Sequence, residues 1–147
     1  KRHKERLGLR KTSQAMEQNI KMNGHLIDTD VLIDVSKGNK NAFLFLSSLE
    51  NACVSIINSM ELIVGARNNS EKNEIEKFLS QYNFVYINER VCSLAYNLLK
   101  KFSLTHGLTI PDSLIAATAI SNNLNLVTKN EKHFKIIEDL KFQIAKY

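Results

Sequence analysis

Three carboxylates suited to holding a hard metal ion, Asp28, Glu61 and Asp112, and an amide that could bond a metal-bound water, Asn130, stand far apart along the chain. Their spacings of 33, 51 and 18 residues are too long for any local motif, so only a fold can bring them together. Asp28 poses the sharpest question. In "HLIDTDVLID" it lies between Leu26-Ile27 and Val31-Leu32-Ile33, where an unpaired charge is costly. Carboxylates that converge in one cleft repel one another unless a cation neutralises them. An all-oxygen donor set suits Mg²⁺ or Mn²⁺. Such an ion lowers the pKa of a bound water and stabilises charge growing on phosphate oxygens, and two ions could clamp attacking and leaving oxygens. One ion or two is left open.

Each position also has a local reading. Asn58-Ser59-Met60-Glu61, Thr109-Ile110-Pro111-Asp112 and Thr128-Lys129-Asn130-Glu131 all resemble capping boxes, and acids in a first helical turn suit the helix dipole. Asp28 fits that reading least well. The histidines (His3, His25, His106 and His133) are scattered and read as surface or helix-end residues. No His/Cys cluster supports zinc.

The elements that must position these acids alternate strand and helix. "GHLIDTD", "ACVSII", "NFVYI", "LNLVT" and "FQIA" read as strands. "VLIDVSKG" reads as a helical turn ended by Gly38. "NKNAFLFLSSLEN" has Phe43, Leu46 and Leu49 at helical spacing. "SMELIVGARN" and "SEKNEIEKFLSQY" are two further helices, the second with Ile75, Phe78 and Leu79 on one face. "ERVCSLAYNLLKKFSLTHG" is a long helix with Val91, Leu94, Ala95, Leu98, Leu99 and Phe102 inward. "PDSLIAATAISNN" is a helix, and "NEKHFKII" a helical turn. The pattern predicts an α/β protein with a mainly parallel sheet. Ligands of such sheets bind beyond the carboxyl ends of the strands, where these acids fall.

The totals fit one domain. The chain has 147 residues, 44% apolar and 24% charged. No apolar run approaches the roughly 20 residues of a membrane span, and the basic start lacks a secretory signal's apolar stretch. The expectation is a cytoplasmic protein with no membrane association. Cys53 and Cys92 read as two reduced, buried thiols. The net charge of +5 lies wholly in residues 1–24, which hold seven Lys/Arg and two Glu. Residues 25–147 hold 13 basic and 13 acidic side chains. Residues 1–24 read as a basic N-terminal extension, with Met22 a plausible native start. A short helix binding nucleic acid or a partner is the alternative.

At its acids the chain resembles PIN-domain ribonucleases, most closely the VapC-type toxins of toxin–antitoxin pairs. "LIDTDVLID" resembles the family's opening strand, "SIINSMELIVGAR" its second motif, and "LTIPDSLIAATAISNNLNLVTKNEKHF" its third and fourth. The likeness covers residues 25–142, and "PDSLIAATA" with "LVTKNEKHF" is its most specific part. It implies a three-layer α/β/α PIN-like nuclease domain over residues 25–147. It also implies metal-dependent endonucleolytic cleavage of RNA, with Mg²⁺ or Mn²⁺ as cofactor and a cognate antitoxin as partner. Asp28 and Asp112 would bind the metal most directly. Glu61 would bind it or orient the attacking water, and Thr29, Thr128 and Asn130 would hold the arrangement. Two departures stand out: Asn58 where the family often has Thr, and the uncharged Asn130 where many members carry Asp.

Asp30 is read as a cap of the turn after the strand, facing the site being the alternative. Asp34 reads as an exposed helix acid. Arg67, Lys129 and Lys132 lie near the motif ends and are candidates for phosphate contact, with a solvated surface charge as the plainer reading. The near-neutral domain implies modest, salt-sensitive RNA affinity, which a homodimer would help by aligning two basic patches. Three rivals remain: a haloacid-dehalogenase-type phosphotransferase with Asp28 as nucleophile, a non-catalytic PIN module, and an RNA-processing nuclease with no antitoxin.

Overall fold

In the computed structural model the structure describes residues 24–147. The readings made of residues 1–23, including His3, Met22 and the basic extension, lie outside the described residues. Five strands, β1 (His25–Ile27), β2 (Ala52–Ser55), β3 (Asn83–Val85), β4 (Asn125–Thr128) and β5 (Phe142–Ile144), form one sheet in the order β3-β2-β1-β4-β5. Every pairing is parallel. The chain steps outward from β1 through β2 to β3, then returns to the other side of β1 for β4 and β5. The order therefore reverses at the β1/β4 boundary, where open α/β sheets bind their ligands.

Strand alternation builds two cores. Leu26, Cys53 and Leu126 face one side, with Phe102, Ile115, Ala116 and Phe134. Ile27, Val54 and Val127 face the other, with Val31, Leu32, Leu46, Leu62 and Leu79. The second side is covered by α1 (Thr29–Ser36), α2 (Lys40–Ser47), α3 (Ile56–Val64) and α4 (Asn69–Leu79). The first is covered by α5 (Glu89–His106), α6 (Ile110–Ser121) and the short α7 (Glu131–Phe134). The expected three-layer architecture is therefore the observed one. The positive φ of +66° at Gly107 ends α5 in a left-handed cap. The chain then turns into α6, with Thr109 as cap and Pro111 in the first turn.

Four expectations need correction. Phe43 does not point inward. The buried stripe of α2 is Ala42 and Leu46, one turn apart, and Phe43 is 55% exposed beside it. Cys92 is exposed, because α5 buries Val91 and Ala95 and turns the next residue outward; Cys53 is buried as expected. The second strand stops at Ser55 rather than running through Ile56-Ile57, so α3 starts earlier and Ser55, not Asn58, is its cap. Asp34 is half-buried rather than exposed. Its Oδ2 accepts from Lys129 Nζ at 2.6 Å and from the Tyr147 hydroxyl at 2.5 Å.

Candidate active site

The site forms where β1 and β4 end side by side. Asp28 is the first residue past β1 and caps α1: its Oδ1 accepts from Thr29 N at 2.8 Å. That explains locally how a carboxylate sits in an apolar run. It is nevertheless buried, at 7% exposure. Its other oxygen, Oδ2, accepts from Thr128 Oγ1 at 2.7 Å. Thr128 is the last residue of β4 and fully buried, and its Oγ1 also accepts from Asn130 N at 3.0 Å. This last bond organises the loop between β4 and α7 in place of the expected capping box.

Glu61 enters from α3 by an indirect route. Thr29 Oγ1 donates to Glu61 Oε1 at 2.8 Å. The fully buried Asn58 donates from Nδ2 to Thr29 Oγ1 at 2.9 Å and to Asp28 Oδ1 at 3.2 Å. Asp112 comes from the first turn of α6, three residues past its cap Thr109, as the capping-box reading expected. Its Oδ2 lies 2.9 Å from His133 Nδ1, and Asn130 Nδ2 lies 3.2 Å from the same ring nitrogen.

Electrostatics follow from this crowding. The Asp28 carboxyl is pushed up to about 6, first by burial and then by Asp30, with Asp112 adding to it. Its hydrogen bonds from Thr128 and Thr29 oppose the rise but do not cancel it. Asp30 is also raised, chiefly by burial. Asp28, not Asp30, is the cap, and Asp30 stands in the first turn of α1 facing the site. Oδ1 accepts from its own helix at Val31 N, 2.7 Å, and Oδ2 turns to the site to accept from Lys129 N at 3.0 Å.

Asp28, Thr29, Glu61 and Thr128 are thus joined in one hydrogen-bonded group, and Asp112 bears on Asp28 through space. As a donor set they fit a hard divalent ion: the atoms are oxygens, and like charges press on the buried member of the set. Among the described residues no three His, Cys, Asp or Glu side chains are drawn into a ready ligand cage. Glu61 is turned to Thr29, and Asp112 to His133.

The basic candidates are not gathered there. Arg67 is paired with Glu71 at 2.6 Å, and Lys129 points its ammonium at Asp34. Lys132 is exposed on α7 and makes no ion pair among the described residues. A groove of about 610 Å³ opens beside Glu61, lined in part by Ile33, Phe43, Leu62, Arg67 and Phe78; it does not reach Asp28 or Asp112. Sequence reasoning missed two residues. His133 read as a surface histidine but touches Asp112. Asn58 read as a helix cap at the place where the family often has Thr, with no part in the site, but it is buried and bonded to Asp28 and Thr29. Its place one turn before Glu61 on an apolar helix was the available signal.

Fold and acids together define a three-layer α/β domain with an acidic site at the reversal of its parallel sheet. The chain belongs to the PIN-domain family, whose model, "PIN domain", matches residues 25–140. It is 35% identical over 124 residues to Ribonuclease VapC1 of Methanocaldococcus jannaschii, spanning 81% of this chain and 85% of that protein. It is 32% identical over 120 residues to Ribonuclease VapC19 of Mycobacterium tuberculosis, spanning 78% and 95%. Among solved structures, VapBC-1 from nontypeable Haemophilus influenzae superposes with a TM-score of 0.66 at 30% identity, over 82% of this chain and 96% of that one. A toxin–antitoxin complex from Klebsiella pneumoniae gives 0.69 at 28% identity, over 84% and 97%.

Proposed function

We propose that this protein is an endoribonuclease, the toxin of a toxin–antitoxin pair, and that it works with Mg²⁺ or Mn²⁺. The observation that carries the reading is the buried Asp28 at the β1/β4 boundary, hydrogen-bonded to Thr128 and Asn58 and pushed up to about 6 by burial and neighbouring acids. A structure that tolerates this charge only for stability would gain by losing it.

Asp28 and Asp112 would hold the ion, and Glu61 would hold it or orient the water that attacks. When bound, the ion supplies an acidified water and positive charge for the phosphate oxygens. Thr128 and Thr29 fix the oxygens of Asp28 and Glu61, and Asn130 extends the wall on the Asp112 side. Glu61 offers an ion its second oxygen, Oε2, while Thr29 holds Oε1, and Asp112 reaches the ion by giving up His133. Arg67, Lys129 and Lys132 are the proposed phosphate contacts. The first two must exchange their acidic partners for RNA, so Lys132 is the basic side chain available first.

An antitoxin is the proposed protein partner, and a second copy of the chain would align two such sites. The cytoplasm is the proposed location; no helix among the described residues is long and apolar enough to cross a membrane. The test is RNA cleavage by the purified chain. Cleavage should need Mg²⁺ or Mn²⁺, stop in EDTA and vanish in Asp28→Asn. Cleavage that survives both treatments overturns the reading. Growth arrest on expression, relieved by the antitoxin, tests the toxin role.

A further inference from the structure

The hydrogen bonds around Asn58 have only one possible direction. The ionised carboxylates of Glu61 and Asp28 can only accept, so Thr29 Oγ1 and Asn58 Nδ2 must donate to them, and the Ser55 hydroxyl, which accepts from the main-chain N–H of Asn58 at 2.9 Å, gives its own proton to Asn58 Oδ1. That fixes which way the amide faces: oxygen toward Ser55, nitrogen toward the site. The two Nδ2 protons go to Asp28 Oδ1 and Thr29 Oγ1. Thr29 now has a donor behind it, so its single proton goes forward to Glu61 Oε1. Every step runs outward from Ser55, and both carboxylates sit at the receiving end.

We propose that Asn58 is a positioning residue that aims Asp28 directly, and Glu61 through Thr29, so that two acids from different elements act on the ion together. This rests on the metal-dependent reading above. Three features separate this role from helix capping. Capping of α3 uses the main-chain N–H of Asn58, not its amide. Both bonds made by Nδ2 reach residues 29 and 30 positions away, on another element. And the side chain is fully buried, so no water can take over either bond.

The experiment measures Mn²⁺ affinity by calorimetry on the full chain, with thermal melting in EDTA as a check on folding, for Asn58→Leu and Asn58→Thr. Leu removes both donors at similar size, while Thr restores one hydroxyl donor. We expect Asn58→Leu to weaken Mn²⁺ binding at least tenfold and to lower kcat for RNA cleavage more than it raises KM. Asn58→Thr should recover part of both. The same comparison in a Glu61→Gln background tests the route. If Asn58 acts on Glu61 through Thr29, Asn58→Leu should cost several-fold less there.

Wild-type Mn²⁺ affinity and kcat in a folded Asn58→Leu overturn the proposal, as does strict additivity with Glu61→Gln. Should Asn58→Leu fail to fold, Asn58→Thr carries the test: Mn²⁺ affinity unchanged from the parent together with additivity overturns the role, and a partial loss that is non-additive with Glu61→Gln supports it. A parent chain that binds no Mn²⁺ and cuts no RNA would instead overturn the functional reading on which this one stands.

Discussion

The two sides of the acidic site are built differently. On the β1/β4 side, Asp28, Asn58 and Thr128 are buried, and Asn58 and Thr128 each donate to Asp28. On the α6/α7 side, Asp112 and Asn130 are half-buried, His133 is exposed, and they meet only through that ring. The first side is integral to the core; the second is an attachment at a helix start and a short loop. The acid on the buried side should therefore be kept at a cost in stability, and the acid on the exposed side at almost none.

The largest expected effect breaks the buried side. Asp28→Asn should cut RNA cleavage by about a thousandfold or more, a few kcal/mol of lost catalytic electrostatics. Folding should respond in the opposite direction. The Asp28 carboxyl goes from 3.8 in the unfolded chain to about 6 when folded. The folded state therefore holds this proton more tightly, so its contribution favours folding below pH 4, declines between pH 4 and 6, and stays lower above. Asn at this position lacks that decline. In EDTA at pH 7, denaturant unfolding should show Asp28→Asn to be more stable than the parent, by up to about 3 kcal/mol.

Asp112→Asn is the matching test of the exposed side. Cleavage should fall about a hundredfold, with stability within about 1 kcal/mol of the parent, the size of a lost first-turn acid. If it destabilises as much as a core substitution, the contrast between the two sides is wrong. Thr128→Val sharpens the comparison by keeping shape and deleting the hydroxyl. A buried carboxylate left short of a donor costs about 1–3 kcal/mol, visible in the same unfolding assay, and cleavage should fall with it. The smallest effect belongs to His133→Ala. Stability should stay within about 0.5 kcal/mol, and cleavage should change by a few-fold at most, because the ring touches Asp112 without anchoring it.

Sequence and structure agree best where periodicity speaks. The apolar spacing of α5 reports its buried face, the apolar runs of β1, β2 and β4 are buried on both faces of the sheet, and the acids fall at the strand ends. Three residues in and around the site resisted. Ser55 and Asn58 are both good helix caps, and one turn of helix separates the two readings; only the sheet's end decides between them. His133 is polar on an otherwise exposed turn, so nothing in its neighbours along the chain points to Asp112. Phe43 shows the limit of spacing itself. Phe43-Leu46-Leu49 and Ala42-Leu46 are both helical stripes, and packing against α1 selects the second with the smaller side chain.

The Thr128–Asp28 hydrogen bond joins positions 100 residues apart, and β1 cannot gain its β4 neighbour until that distance has been synthesised. A nascent polypeptide leaving the ribosome therefore carries the first acid, and then the second, long before either has its full surroundings. Such long-separation pairing is also slow to form. A chain built this way has no complete acidic site until the strand that ends in Thr128 has joined the sheet.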